Sequence, residues 1–120
     1  MKTHPLSVND SIIIECFPGE GTINSEADAL DLVAACGEFR TPFLLLHDGV
    51  LPEAFFQLFT RLAGSILLKF SNYRFKVASV ISPENIHRGK FEEFVLETNR
   101  GSDFRTFPNT DAATDWLLNH

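Results

Sequence analysis

An α/β domain built on a mostly parallel sheet is the fold this chain predicts, in the order ββαβαβαβα, and three observations predict it. A two-residue turn pair joins two short apolar segments near the start. Apolar runs of strand length then alternate with stretches of helical periodicity. The 120 residues form a single domain, residues 1–120, long enough for one buried core.

The opening hairpin is Leu6-Ser7-Val8, a turn at Asn9-Asp10, and Ser11 to Cys16, because Asn and Asp tolerate the positive φ that tight hairpin turns require. Pro18-Gly19-Glu20-Gly21 breaks the chain. Ser25 then opens a helix with Asp28 three residues on, Ala27, Leu30, Val33 and Ala34 as its buried stripe, and Gly37 as its end. Pro42 to His47 is a continuous apolar run, the pattern of a strand covered on both faces.

Asp48-Gly49-Val50 turns the chain, and Pro52 suits the first position of a helix running to Tyr73, about 22 residues or roughly 33 Å. Phe55, Phe59, Leu62, Ile66, Phe70 and Tyr73 form one stripe, and Ala54, Phe56, Leu58, Ala63 and Leu67 lie off it. The helix is thus more apolar than one sheet-facing stripe requires. Gly64 in mid-helix, at about 1 kcal/mol relative to Ala, implies another element packed close by.

Arg74 to Ile81 reads as the next strand, and a helix from Lys90 to Asn99 follows, closed by a left-handed Gly101. Asp103 to Phe107 is a short edge strand. Pro108-Asn109-Thr110 leads into a last helix with Ala112, Ala113, Trp116 and Leu117 inward.

Composition narrows the function. Twelve Phe against one Tyr and one Trp place most rings in a core or an interface. The net charge of −6 argues against non-specific nucleic-acid binding. Residues 1–53 carry nine acids against Lys2 and Arg40, a balance of −7, whereas residues 54–120 carry eight bases against seven acids, a balance of +1. No segment is long and apolar enough to span a membrane, and no cleavable signal pattern precedes Ser7, so a cytoplasmic protein is expected. Cys16 and Cys36 lack metal-type spacing and read as buried reduced thiols.

Two polar corners stand out. Lys69, Asn72, Tyr73, Arg74 and Lys76 cluster between the long helix and the strand after it, and Asn99-Arg100-Gly101 ends the next helix. Both join a helix C-terminus to the start of a strand, so they belong to one edge of the sheet. Their residues can hold a small anion or a partner, or else meet orphan helix carbonyls. The opposite edge gathers Gly19, Glu20, Gly21, His47, Asp48, Gly49, Ser82, His87 and Asn109. Of these, His47 and Asp48 are the weaker site candidates, for metal or acid–base chemistry. No catalytic residue, metal or cofactor is assigned.

With Leu62-Ala63-Gly64, Lys69-Phe70-Ser71-Asn72-Tyr73-Arg74 and Glu97-Thr98-Asn99-Arg100-Gly101 in view, the chain resembles a family of small bacterial proteins classed as a domain of unknown function. The likeness runs from the opening hairpin to Trp116-Leu117. The element order is also similar to the STAS domain of anti-sigma-factor antagonists. That resemblance implies a regulatory interaction module, and Asp48 matches the family's Asp at the end of the central strand. Gly49 to Glu53 has no Ser or Thr where phosphorylated members carry one, so a phospho-switch is not expected. The reading is a non-enzymatic interaction module, with a protein partner or a homodimer through the helix 52–73; the alternative is an anion-binding domain using Arg74 and Arg100.

Overall fold

The computed structural model describes residues 2–52, 55, 61–82 and 90–119. They form a five-stranded mixed sheet in the order β1-β2-β3-β4-β5, with four helices. The strands are β1 (His4–Val8), β2 (Ser11–Cys16), β3 (Phe43–Leu46), β4 (Lys76–Val80) and β5 (Phe104–Phe107). The helices are α1 (Glu26–Glu38), α2 (Arg61–Asn72), α3 (Lys90–Thr98) and α4 (Thr110–Asn119). The first pair is antiparallel and the other three are parallel, as the alternation of elements predicts.

The hairpin turn is the expected one. Asn9 and Asp10 both take positive φ, 49° and 67°, and Val8 faces Ser11 across it. Ser25 caps α1, its hydroxyl accepting from the Asp28 N–H at 3.3 Å. The Asp28 carboxylate reaches back to the Asn24 N–H at 2.9 Å.

Each face of the sheet has its own core. Ile14, Cys16, Leu44, Leu46, Val77 and Phe104 point to the side of α1 and α2, which contribute Ala29, Leu32, Cys36, Ala63, Ile66 and Phe70. Ile13, Leu45 and Ala78 point to the other side, where α4 packs Ala113, Trp116 and Leu117. Consecutive parallel strands laid side by side place successive right-handed crossovers on one face, and the terminal helix is left to cover the other.

Several boundaries and faces differ from expectation. The stripe of α1 that meets the sheet is Ala29, Leu32 and Cys36, with Val33 half-buried; Ala27, Leu30 and Ala34 are exposed. Gly37 lies inside α1 rather than ending it. The helix is capped two residues later at Phe39, and Arg40 after it takes φ 53°. Gly64 is exposed, and a Cβ added there would meet nothing within 4 Å among the described residues, so none of their elements explains it. Strand β4 begins at Lys76, because Arg74 takes φ 59° and belongs to the turn. Gly101 is not left-handed; the chain leaves α3 through tight bonds from the Arg100 N–H to Glu97 and from the Gly101 N–H to Thr98. Of the long helix expected from Pro52, Arg61–Asn72 is helical and Phe55 is buried in a short turn on Pro52; Phe56, Leu58 and Phe59 lie outside the described residues, as does His87.

Candidate functional site

At the edge where α1 and α2 hand over to β3 and β4, the two helices end in one geometry. After α1, the Arg40 N–H donates to Gly37 at 3.2 Å and the Thr41 N–H to Cys36 at 3.1 Å. After α2, the Arg74 N–H donates to Ser71 at 3.0 Å and the Phe75 N–H to Phe70 at 2.9 Å. These paired bonds are the Schellman closure, whose left-handed residue is usually glycine. Here it is arginine both times. An exposed aromatic precedes each, Phe39 at 39% exposure and Tyr73 at 54%.

The two corners are neighbours. The Lys76 N–H donates to the Pro42 carbonyl at 2.9 Å, and Phe43 pairs with Lys76 in the sheet. Phe39-Arg40 and Tyr73-Arg74 are therefore presented side by side, both arginines exposed. Asn72 is exposed next to them and Lys69 is half-buried one turn earlier.

Of the other residues of the two predicted corners, Lys76 and Asn99 have structural occupations. Lys76 Nζ donates to the carbonyls of Trp116 at 2.6 Å and Leu117 at 3.3 Å, and lies 4.5 Å from the Trp116 ring centroid. Burial, and then the charge of Arg105, hold its pKa below the ordinary lysine value. Asn99 turns its amide onto β5, bonding both the N–H and the C=O of Thr106. Arg100 faces Glu97 at 3.7 Å on the surface. Ser71 Oγ donates to an Asp103 carboxylate oxygen at 3.3 Å, which places a negative charge between the α2–β4 and α3–β5 corners.

The carboxyl edge of the parallel strands carries a second cluster. His47 Nε2 lies 3.1 Å from Glu15 Oε1, both largely buried. Phe17 stacks on His47 with centroids 4.4 Å apart, and His4 meets the same ring edge-on at 5.2 Å. His4 Nε2 in turn lies 2.8 Å from Glu20 Oε1. These contacts tie the start of β1 and the loop after β2 to the end of β3. Asp48 accepts from the Ser82 N–H at 3.1 Å, joining the loops after β3 and β4. A Cβ on Gly49, at φ 97°, would stand 2.9 Å from Pro18 Cβ, so this edge is packed backbone to ring. Among the described residues no group of three His, Cys, Asp or Glu is placed to hold a metal ion. None of the described helices is long and apolar enough to cross a membrane.

Two features escaped the sequence reading. One is Phe39-Arg40, whose signal in the sequence is the aromatic–arginine pair just ahead of a strand that recurs at Tyr73-Arg74. The other is the outward stripe of α1, which reads as core because alanines and leucines at helical spacing fit either face.

The family model of the domain of unknown function DUF4180 matches residues 8–117, and the chain belongs to that family. No curated protein and no solved structure matches the chain.

Proposed function

We propose that this protein is a non-enzymatic interaction module that docks its partner on the outer surface of α1 and α2. One observation carries the reading: α1 is apolar on two sides. Ala29, Leu32 and Cys36 fill the core, while Ala27, Leu30 and Ala34 face solvent. A helix needs one apolar stripe to pack on a sheet, and a second, contiguous one is the mark of a further contact. The neighbouring α2 adds exposed Gly64 and Leu68, the latter 60% exposed. At the end of this surface, Phe39, Arg40, Tyr73 and Arg74 offer the aromatic and arginine side chains that dominate binding hot spots.

Charge favours a second copy of the chain as the occupant. The N-terminal half of α1 carries Glu26 and Asp31, and the C-terminal corners carry Arg40 and Arg74. An antiparallel two-fold contact sets the acids of each copy against the arginines of the other. The element order similar to the STAS fold agrees with a regulatory module of this kind, though fold alone does not assign function. The anion reading of Arg74 and Arg100 has less support, since Glu97 and Asp103 share that corner.

Light scattering across the micromolar range tests the reading. The wild type is expected to run as a dimer, and Leu30→Asp with Leu68→Asp as a folded monomer. Arg40→Glu with Arg74→Glu should weaken the dimer, and adding Glu26→Lys and Asp31→Lys should restore it. A wild type that stays monomeric throughout would rule out the second copy.

A further inference from the structure

The outermost strands of this sheet are β1 and β5, and an outermost strand ordinarily offers unpaired backbone groups to any other chain. On β5, the carbonyls of Asp103 and Phe107 accept from Val77 and Ile81 of the β4 segment. Alternation along the strand therefore turns the N–H and C=O of Thr106 away from β4, toward the open edge. Asn99 fills that place. Its Oδ1 accepts from the Thr106 N–H at 2.8 Å and its Nδ2 donates to the Thr106 C=O at 3.3 Å. A primary amide presents one acceptor and one donor side by side, as a peptide group does. Asn99 thus pairs with the edge as a one-residue strand would.

The other edge is closed by different means. The two-residue turn makes Val8 and Ser11 the closing hydrogen-bonded pair, so Val8, Leu6 and His4 bond to β2 while Ser7 and Pro5 face outward. Pro5 has no N–H to give. Ser7 is left as the one outward residue of β1 that can donate.

We propose that Asn99 is an edge guard: its side chain keeps β5 from pairing with β5 of a second copy, and Pro5 does the same for β1. Association through the helical surface then proceeds without the sheet growing edge to edge. The inference stands on the Asn99–Thr106 pair and does not depend on what the helices bind.

The test is sedimentation of wild type, Asn99→Ala and the double variant Asn99→Ala with Thr106→Pro, each checked for folding by circular dichroism. Asn99→Ala is expected to add a concentration-dependent association beyond whatever the wild type shows. Thr106→Pro, by removing the outward N–H, is expected to abolish that addition. A folded Asn99→Ala with wild-type sedimentation overturns the proposal, and so does an added association that Thr106→Pro leaves intact. Hydrogen exchange on the wild type decides the matter even if a variant does not fold. The Thr106 amide should exchange as slowly as amides inside the sheet, and the Ser7 amide quickly; equal, fast exchange at both would refute the guard.

Discussion

Arg74 stands at the end of α2 where Arg40 stands at the end of α1: each is the left-handed residue of a Schellman closure, at φ 59° and 53°. An L-residue with a Cβ carries roughly 1–2 kcal/mol of strain in that region, and glycine carries almost none. Both arginines are exposed. Arg40→Gly and Arg74→Gly should therefore each stabilise the fold by about 0.5–1 kcal/mol, the strain relieved less the extra freedom of glycine in the unfolded chain. Urea midpoints measure it. A loss of stability in either variant would mean that the arginine makes a stabilising contact in the folded chain.

Gly64 and Gly37 offer the complementary case. Both lie within helices, at ordinary φ, and a Cβ on either would meet nothing within 4 Å among the described residues. Replacing each by alanine should raise the stability of dilute protein by up to about 1 kcal/mol. Both also lie on the proposed docking surface, so the same variants should weaken self-association at higher concentration if the helices approach closely there. Melts at low and high concentration separate the two effects.

These helix ends show where sequence reasoning stops. The hairpin was legible because Asn9-Asp10 declares a turn with two positive φ values, and β3 because Phe43 to Leu46 has no polar face. The inward side of α1 was not. Ala27-Leu30-Ala34 and Ala29-Leu32-Cys36 have equally helical spacing, and only the sheet decides between them. The caps misled for a related reason. Glycine is the residue expected at a left-handed closure, so Gly37 and Gly101 drew attention from Arg40 and left Arg74 assigned to a strand. Of the candidate site residues, Lys69, Asn72, Tyr73, Arg74, Lys76, Asn99 and Arg100 are placed around one sheet edge. Yet the bonds that occupy Lys76 and Asn99 reach Trp116 and Thr106, partners that no local pattern announces.

Lys76 gives a test of that long-range contact. Its ammonium closes the last turn of α4 by donating to Trp116 and Leu117, at the negative end of the helix. Hydrogen bonds from a charged donor contribute about 1.5–3 kcal/mol. The burial that lowers its pKa offsets part of this, so the low end applies. Lys76→Met keeps the stem over Trp116 and removes the donor, and should lower stability by about 1–2 kcal/mol. Unfolding followed by fluorescence of Trp116, the single tryptophan, reports it directly.

Cys16 and Cys36 lie in the same core and are both free. Burial, and then the nearby Cys36, push the Cys16 thiol up to about 12; burial alone does the same for Cys36. Both should be inert in the folded protein, since the thiolate is the reactive form. A thiol reagent such as Ellman's should react only as the chain unfolds, releasing two equivalents. The linkage has a definite sign. The raised folded pKa values keep both thiols protonated in the fold, so their contribution is complete below the unfolded value near 9. It is lost as pH rises toward about 12, because the unfolded chain gives up protons first. The urea midpoint should fall more steeply between pH 9 and 12 for the wild type than for Cys16→Ala with Cys36→Ala. Equal slopes, or thiol release on mixing with the folded protein, would place at least one cysteine outside the core.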